Sequence, residues 1–226
     1  MLESAQDNGR APGKRLRVVG ILGGSSDQAT ADYYRRPNQA VQARLGGWNT
    51  AEVIINSMNF ALAERWVRND LWDEAAADLA VRARGLEAAG AELLICVSNT
   101  LHRCAGIFAA GLTRVGLLGT RPVMATDYLK RRYRDSFGVE ILVPDEAGQD
   151  EVDRIIFDEL CRGRFLPESR DRYLAIVDQL RAWGAEGIIL GCTEIPLRIG
   201  QGDRPDIPMF DTAALHVGAV VDWAMQ

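Results

Sequence analysis

Histidine is scarce in this chain of 226 residues: His102 and His216 are the whole supply. The four cysteines, Cys96, Cys104, Cys161 and Cys192, form no Cys–His cluster at zinc-ligand spacing, so no metal site is expected. They also lack the spacing of a disulfide framework. They lie in or near apolar segments, as reduced thiols of a cytoplasmic protein do. No apolar run approaches the ~18 residues that a membrane-spanning helix needs. No long basic run exists and the net charge is −5, which argues against a nucleic-acid partner. Neither GxGxxG nor a GKS or GKT triplet occurs, so dinucleotide and ATP binding are poorly supported. Residues 1–15, MLESAQDNGRAPGKR, lack the apolar stretch of a signal peptide and read as a disordered tail. What remains is 47% hydrophobic and 25% charged, an ordinary globular composition with room for one large or two small α/β domains.

The sequence then says the same thing twice. Residues 90–100 read GAELLICVSNT and residues 184–194 read GAEGIILGCTE. Both run Gly-Ala-Glu, a short apolar strand, a small nucleophilic residue and then polar ones. Ser98 and Cys192 fall at the same offset, and VVGILGG at 18–24 matches RVGLLGT at 114–120. Two such halves facing each other would place Ser98 and Cys192 on opposite walls of one cleft.

Hydrophobic patterning alternates strands with helices, which implies parallel sheets and crossover connections. In the first half, strands are predicted over 16–22, 52–58 and 93–97, with helices over 30–43, 73–89 and 100–110. Pro37 falls inside the first helix, where it removes a donor and clashes with the preceding turn at about 3 kcal/mol; a kink or a nearby helix start is expected. In the second half, strands are predicted over 114–118, 139–143 and 187–190, with helices over 122–136 and within 149–182. A last strand, 207–210, and helix, 212–225, follow. The first half has no counterpart of that last pair, because only about 15 residues separate Ser98 from the next strand. A true deletion there would expose a sheet edge beside the cleft.

Candidate chemistry gathers at the carboxyl ends of strands, where open α/β sheets bind ligands. Cys192 stands first. Just before the apparent helix start Thr193-Glu194, its thiolate would be stabilised by backbone amides, and a thiolate of lowered pKa can take a carbon-bound proton. Gly23-Gly24-Ser25-Ser26 is either a cradle for a carboxylate or a plain tight turn. Asn99 and Thr100 offer donors to a carboxylate or cap the next helix. Ser98 ionises too weakly to act as a base unaided, but it can donate to substrate or position a water. His102 and His216 are acid–base candidates or packed histidines. Glu194 either polarises a neighbour or caps a helix. Cys96, Cys104 and Cys161 read as structural. Arg44, Arg121 and Lys130 are cations able to meet a distal carboxylate, or simply solvated.

Taken together, GILGGSS…ATADYYRR, ARLGGWNTAEV, SNTLHR, VGLLGTRPVM, GCTEIPL and FDTAALH resemble the aspartate/glutamate racemase superfamily, in its bacterial broad-specificity amino-acid racemase branch. The resemblance runs from Leu16 to the end. It implies two pseudo-symmetric parallel-sheet α/β domains, 16–112 and 113–206, with 207–226 packing back to complete the first. It implies a cofactor-independent racemase, without pyridoxal phosphate, of a small carboxylated amino acid such as aspartate or glutamate. It also implies a homodimer. Cys192 matches the second catalytic cysteine of the family, and Ser98 stands where the first is usual. Asn99, Thr100 and Thr193 match groups that hold substrate carboxylates, and Ser25 and Ser26 match the first loop of the site. Asn59 stands where an acidic residue is frequent. With one thiol, one enantiomer should be deprotonated faster than the other. Two other readings stand beside this one: a one-thiol decarboxylase, for which the sequence shows no large apolar pocket, and a degenerate member that binds an amino acid without turnover.

Overall fold

The two halves implied by the repeat are present in a computed structural model, which describes residues 15–69, 71–97 and 112–226. The first half holds β1 (Val19–Gly23), α1 (Asp27–Leu45), β2 (Val53–Ser57), α2 (Phe60–Arg68), α3 (Trp72–Ala88) and β3 (Leu93–Cys96). The second holds β4 (Arg114–Leu118), α4 (Arg121–Ala125), α5 (Asp127–Phe137), β5 (Glu140–Leu142), α6 (Glu146–Arg154), α7 (Pro167–Ala182) and β6 (Gly187–Leu190). A π-helical turn (Ile155–Glu159) and a 3-10 turn (Leu160–Arg162) connect α6 to α7. β7 (Met209–Asp211) and α8 (Thr212–Ala224) close the chain. No helix among the described residues is long and apolar enough to cross a membrane.

Both sheets are parallel, ordered β2-β1-β3 and β5-β4-β6-β7. The duplicated segments occupy equivalent places in them. Gly20 sits opposite Leu94 and Gly116 opposite Ile188, four residues before Ser98 and Cys192 respectively. Both glycines are required by close approach. A Cβ on Gly20 would strike Ala91 and Leu94, and one on Gly116 would strike Ile188 and Leu180.

The apolar runs of β1, β4 and β6 bury as patterned, while those of β2 and β3 stay partly exposed. One core gathers β4, β6, α6, α7 and the π turn around Leu118, Ile156, Tyr173 and Ile188. The other gathers β1, β3, α1 and α8 around Ile21, Tyr33, Val97 and Val221. The closing pair therefore separates. β7 pairs with β6 at the edge of the second sheet, and only α8 packs against the first half. The strand continues the backbone ladder beside β6. The helix carries its apolar face, Ala213, Val217, Val220 and Val221, across to α1. Arg36 of α1 bonds Asp211 at 2.7 Å, and the Tyr33 hydroxyl meets His216 Nδ1 at 3.0 Å, so the junction is polar at one end. His216 is thus a packed histidine of the first core. Among the described residues β3 is an edge strand of its sheet, and the connection 98–111, where a counterpart of β7 was sought, lies outside them.

Other elements differ from expectation. α1 runs straight through Pro37 as one helix of 19 residues and begins earlier than patterned, because Ser26 caps it at the Ala29 N–H. Pro37 is buried with Tyr33 and Val41, and that burial offsets the lost backbone bond. The predicted helix 122–136 is two helices broken at Thr126, which is extended. α2 was not anticipated at all. Asn59, read as a departure from an acidic position, caps it through the Ala61 N–H at 3.1 Å. The expected helix over 100–110 and the tail up to residue 14 lie outside the described residues.

Candidate active site

The strands end where the two halves meet, and there they enclose a cavity of about 280 Å³. Ser25 and Val97 line it from the first half, and Gly191, Cys192, Thr193 and Glu194 from the second. Cys192 stands two residues beyond β6, and the Gly191 N–H continues the ladder to the Leu118 carbonyl at 2.6 Å. A thiol on that spur is fixed by a buried sheet rather than by a loop.

Glu194 is the hub of the site. It is 3% exposed and accepts from Cys192 Sγ at 2.8 Å, from Thr193 Oγ1 at 2.7 Å and from Ser26 Oγ. The Cys161 thiol lies close enough for the Glu194 charge to act on it. None of these partners is a cation, so among the described residues this buried carboxylate is held by hydroxyl and thiol donors. Such a group must be hydrogen-bonded or protonated to be tolerated in a poorly solvated place. Its Ser26 bond spans the two halves, because Ser26 caps α1 in the first half and Glu194 follows β6 in the second.

The electrostatics reverse one expectation. Burial first, and then the Glu194 charge, push the Cys192 thiol well above its ordinary value. The backbone amide of Glu194 does favour the thiolate, as expected of the residues after Cys192, but burial and the Glu194 charge outweigh it, and only a 3-10 turn, Ile195–Leu197, follows. The resting proton therefore sits on sulfur, pointing at Glu194. Cys161 is raised for the same reasons in the same order.

The glycine loop is a structural turn more than an open cradle. The Gly24 N–H donates to Thr30 Oγ1 at 2.8 Å, and Ser25 Oγ donates to the Val97 carbonyl. Gly24 has φ +91°, and a Cβ there would fall on the Met58 backbone, so the turn demands glycine. Of the residues singled out from sequence, Ser25, Cys192, Thr193 and Glu194 line the cavity, and Ser26 stands behind it. Ser98, Asn99, Thr100 and His102 lie outside the described residues, as does Cys104. Val97, immediately before Ser98, lines the cavity. Of the three cations considered for a distal carboxylate, Arg44 bonds Asp222 at 2.6 Å and Arg121 bonds Glu146 and Asp150, while Lys130, on α5, is not among the lining residues.

Two features escaped the sequence. Cys161, read as structural, lines the cavity and joins the Glu194 cluster. Most of the remaining described lining is apolar, with Glu64, Thr120 and Thr126 among it, where no apolar pocket was expected. Phe60 of α2 stacks on Phe157 of the π turn at 6.3 Å, with Val67, Val123, Leu129 and Ile156 around them. These side chains come from α2, α4, α5 and the π turn, and no local pattern links segments so far apart. The π turn itself marks the place, since such irregular turns gather at functional sites. Among the described residues no group of His, Cys, Asp or Glu is arranged to hold a metal ion.

A protein of two parallel α/β sheets with this topology is of the racemase class in fold. The chain belongs to the Asp/Glu/Hydantoin racemase family, whose model matches residues 104–220. An Asp/Glu racemase assignment is carried by a Yersinia pestis protein whose crystal structure is similar over 93% of this chain and all of that one. The TM-score is 0.80 and the identity 36%. An aspartate racemase homologue from Pyrococcus horikoshii OT3 is similar over 94% of this chain and all of its own, with TM-score 0.75 and 28% identity. An uncharacterized protein from the pnlA 3′ region of Pectobacterium carotovorum subsp. carotovorum is 32% identical over 137 residues, 59% of this chain and 85% of that protein. The chain is thereby a racemase-type isomerase.

Proposed function

We propose that the protein inverts an α-carbon beside a carboxylate by removing and returning its proton, without a cofactor, using Cys192 as the thiol on one face. The observation that carries this reading is the Cys192–Glu194 bond of 2.8 Å at the end of β6, facing the cavity. The thiol as it rests is an acid, ready to deliver a proton to a carbanion. To act as a base it must first pass that proton to Glu194 Oε2, which already accepts it. The proton that leaves sulfur is then held by the carboxylate that faces it. A proton-transfer partner placed in this way contributes on the order of 10²–10⁴-fold to rate.

The opposite face is assigned to Ser98, directly or through a water, or to His102, on the strength of the repeat and the family resemblance. Asn99, Thr100 and Thr193 are assigned to the substrate carboxylate on the same ground. Thr193 Oγ1 is given to Glu194 in the structure, which leaves its backbone N–H for that role. Aspartate or glutamate is the substrate class that the resemblance suggests, and a homodimer the assembly. The apolar wall also keeps the one-thiol decarboxylase reading in play, since that chemistry needs such a pocket.

The test is α-proton exchange in heavy water, followed by proton NMR, on the wild type and Cys192→Ala. Exchange that falls by on the order of 10²-fold or more in the variant is the expected result. Undiminished exchange in Cys192→Ala would remove the thiol from the mechanism. Carbon dioxide release from a substituted malonate, with no exchange of any amino acid, would select the decarboxylase.

A further inference from the structure

We infer that the substrate of this site carries an apolar, uncharged side chain, not a second carboxylate. The inference deepens the function proposed above and rests on the same cavity. Its chemistry is one-sided. Phe60, Phe157, Val67, Val123, Leu129 and Ile156 dominate the lining away from Cys192 and Glu194, with the stacked Phe60 and Phe157 rings among them, and the hydroxyls of Thr120 and Thr126 are its neutral polar groups. The charged residues lining the cavity among those described are both acidic, Glu64 and Glu194.

An aspartate or glutamate side chain placed against that wall would lose its water and gain no cation from the described lining residues. It would also stand near the charge of Glu194, where like charges repel most strongly in a poorly solvated place. Arg68, at the rim, does not change this. Its guanidinium covers the Phe157 ring at 4.9 Å and is committed to Glu64 at 2.8 Å. That arrangement braces the wall from outside, with the arginine's charge balanced. Arg121 is likewise held by Glu146 and Asp150. The α-ammonium of an amino acid, by contrast, suits the Glu194 end of the cavity, since Glu64 is already paired with Arg68. An amino acid with a branched aliphatic or aromatic side chain therefore satisfies both ends of the cavity. A single methylene more or less in an apolar pocket changes selectivity by roughly 10- to 200-fold, so the preference should be easy to measure.

The experiment compares L-phenylalanine and L-leucine with L-aspartate and L-glutamate at equal, limiting concentration, by α-proton exchange in heavy water with the wild-type protein. The expected result is a rate for phenylalanine or leucine on the order of tenfold or more above either dicarboxylate. Equal or faster exchange of aspartate or glutamate would overturn the inference. In parallel, Cys192→Ala is melted with each amino acid, because this variant keeps the wall and lacks the thiol. A higher Tm with phenylalanine or leucine and none with aspartate supports the side-chain preference even if the wild type exchanges nothing, an outcome that would sink only the thiol mechanism. A Tm that responds only to the dicarboxylates, or to no amino acid when exchange is also absent, overturns the preference itself. Val123→Arg adds the missing cation to the wall and should shift the ratio toward aspartate.

Discussion

The two halves of this molecule follow one plan and are finished to different standards. β4 and β6 are buried almost throughout, and β7 covers the outer edge of their sheet. β2 and β3 leave Ile55 and Leu94 each 37% exposed, and among the described residues their sheet has three strands against four. The difference in burial matches a difference in work. The second half supplies Cys192, Glu194, Cys161 and most of the apolar wall, while the first half supplies Ser25, Ser26, Val97 and one helix. A duplicated scaffold does not need two equal copies. A proton-transfer pair needs one rigid seat, and a fully buried parallel sheet provides it.

That asymmetry is open to attack at the hydrogen bond joining the halves. Glu194→Gln should cut exchange by on the order of 10²-fold, since it removes the proton acceptor. Its pH profile should change as well. The wild-type pair holds its proton internally, so its rate should be flat near neutrality. In the variant the thiol must lose its proton to solvent, and log rate should climb with a slope of about one. Ser26→Ala, on the other side of the same bond, should cost about 1 kcal/mol through the lost cap of α1 and change turnover far less. If Ser26→Ala matched Glu194→Gln in turnover, the first half would share the chemistry and the contrast would fail.

Denaturant melts should separate the two cores next. Ile188→Ala, fully buried in β6, should cost roughly 2–5 kcal/mol. Leu94→Ala, at the matching register position in β3, should cost about 1 kcal/mol or less, because its side chain already meets water. Equal losses would show that the first sheet is as well packed as the second.

The smallest effect is an alkaline one. Cys161, Cys192 and Tyr173 in the second half, and Cys96 and Tyr33 in the first, all have their deprotonated forms disfavoured chiefly by burial. A group whose pKa is raised on folding stabilises the protein fully below its unfolded value and loses that contribution as pH rises past it. For the thiols that loss begins at the ordinary cysteine value of 9.0, and for the tyrosines at 10.0. Tm should therefore fall above about pH 9, and Cys161→Ala should flatten the early part of that fall more than Cys96→Ala. The reverse order would place the stronger constraint in the first half.

Much of this was legible before any coordinates. Continuous apolar runs closed by glycine gave strands at 114–118 and 187–190 to the residue, because a strand buried on both faces has one local signature. The repeat located Cys192 and Glu194 for the same kind of reason. α2 was missed because its pattern is short and mixed, with an asparagine cap easily taken for part of a loop. Cys161 was set aside because an apolar helical context does not show which way a thiol faces.

The sequence by itself therefore determined the class of the fold, the duplication and the strand end that bears the thiol, all of which depend on residues close together in the chain. Only the tertiary structure decided that Glu194 is the hub of the cluster, that β7 and α8 serve different halves, and that the cavity wall is apolar. Those facts depend on side chains far apart in sequence, such as Ser26 and Glu194 or Phe60 and Phe157, which meet only once both sheets are closed around the cleft.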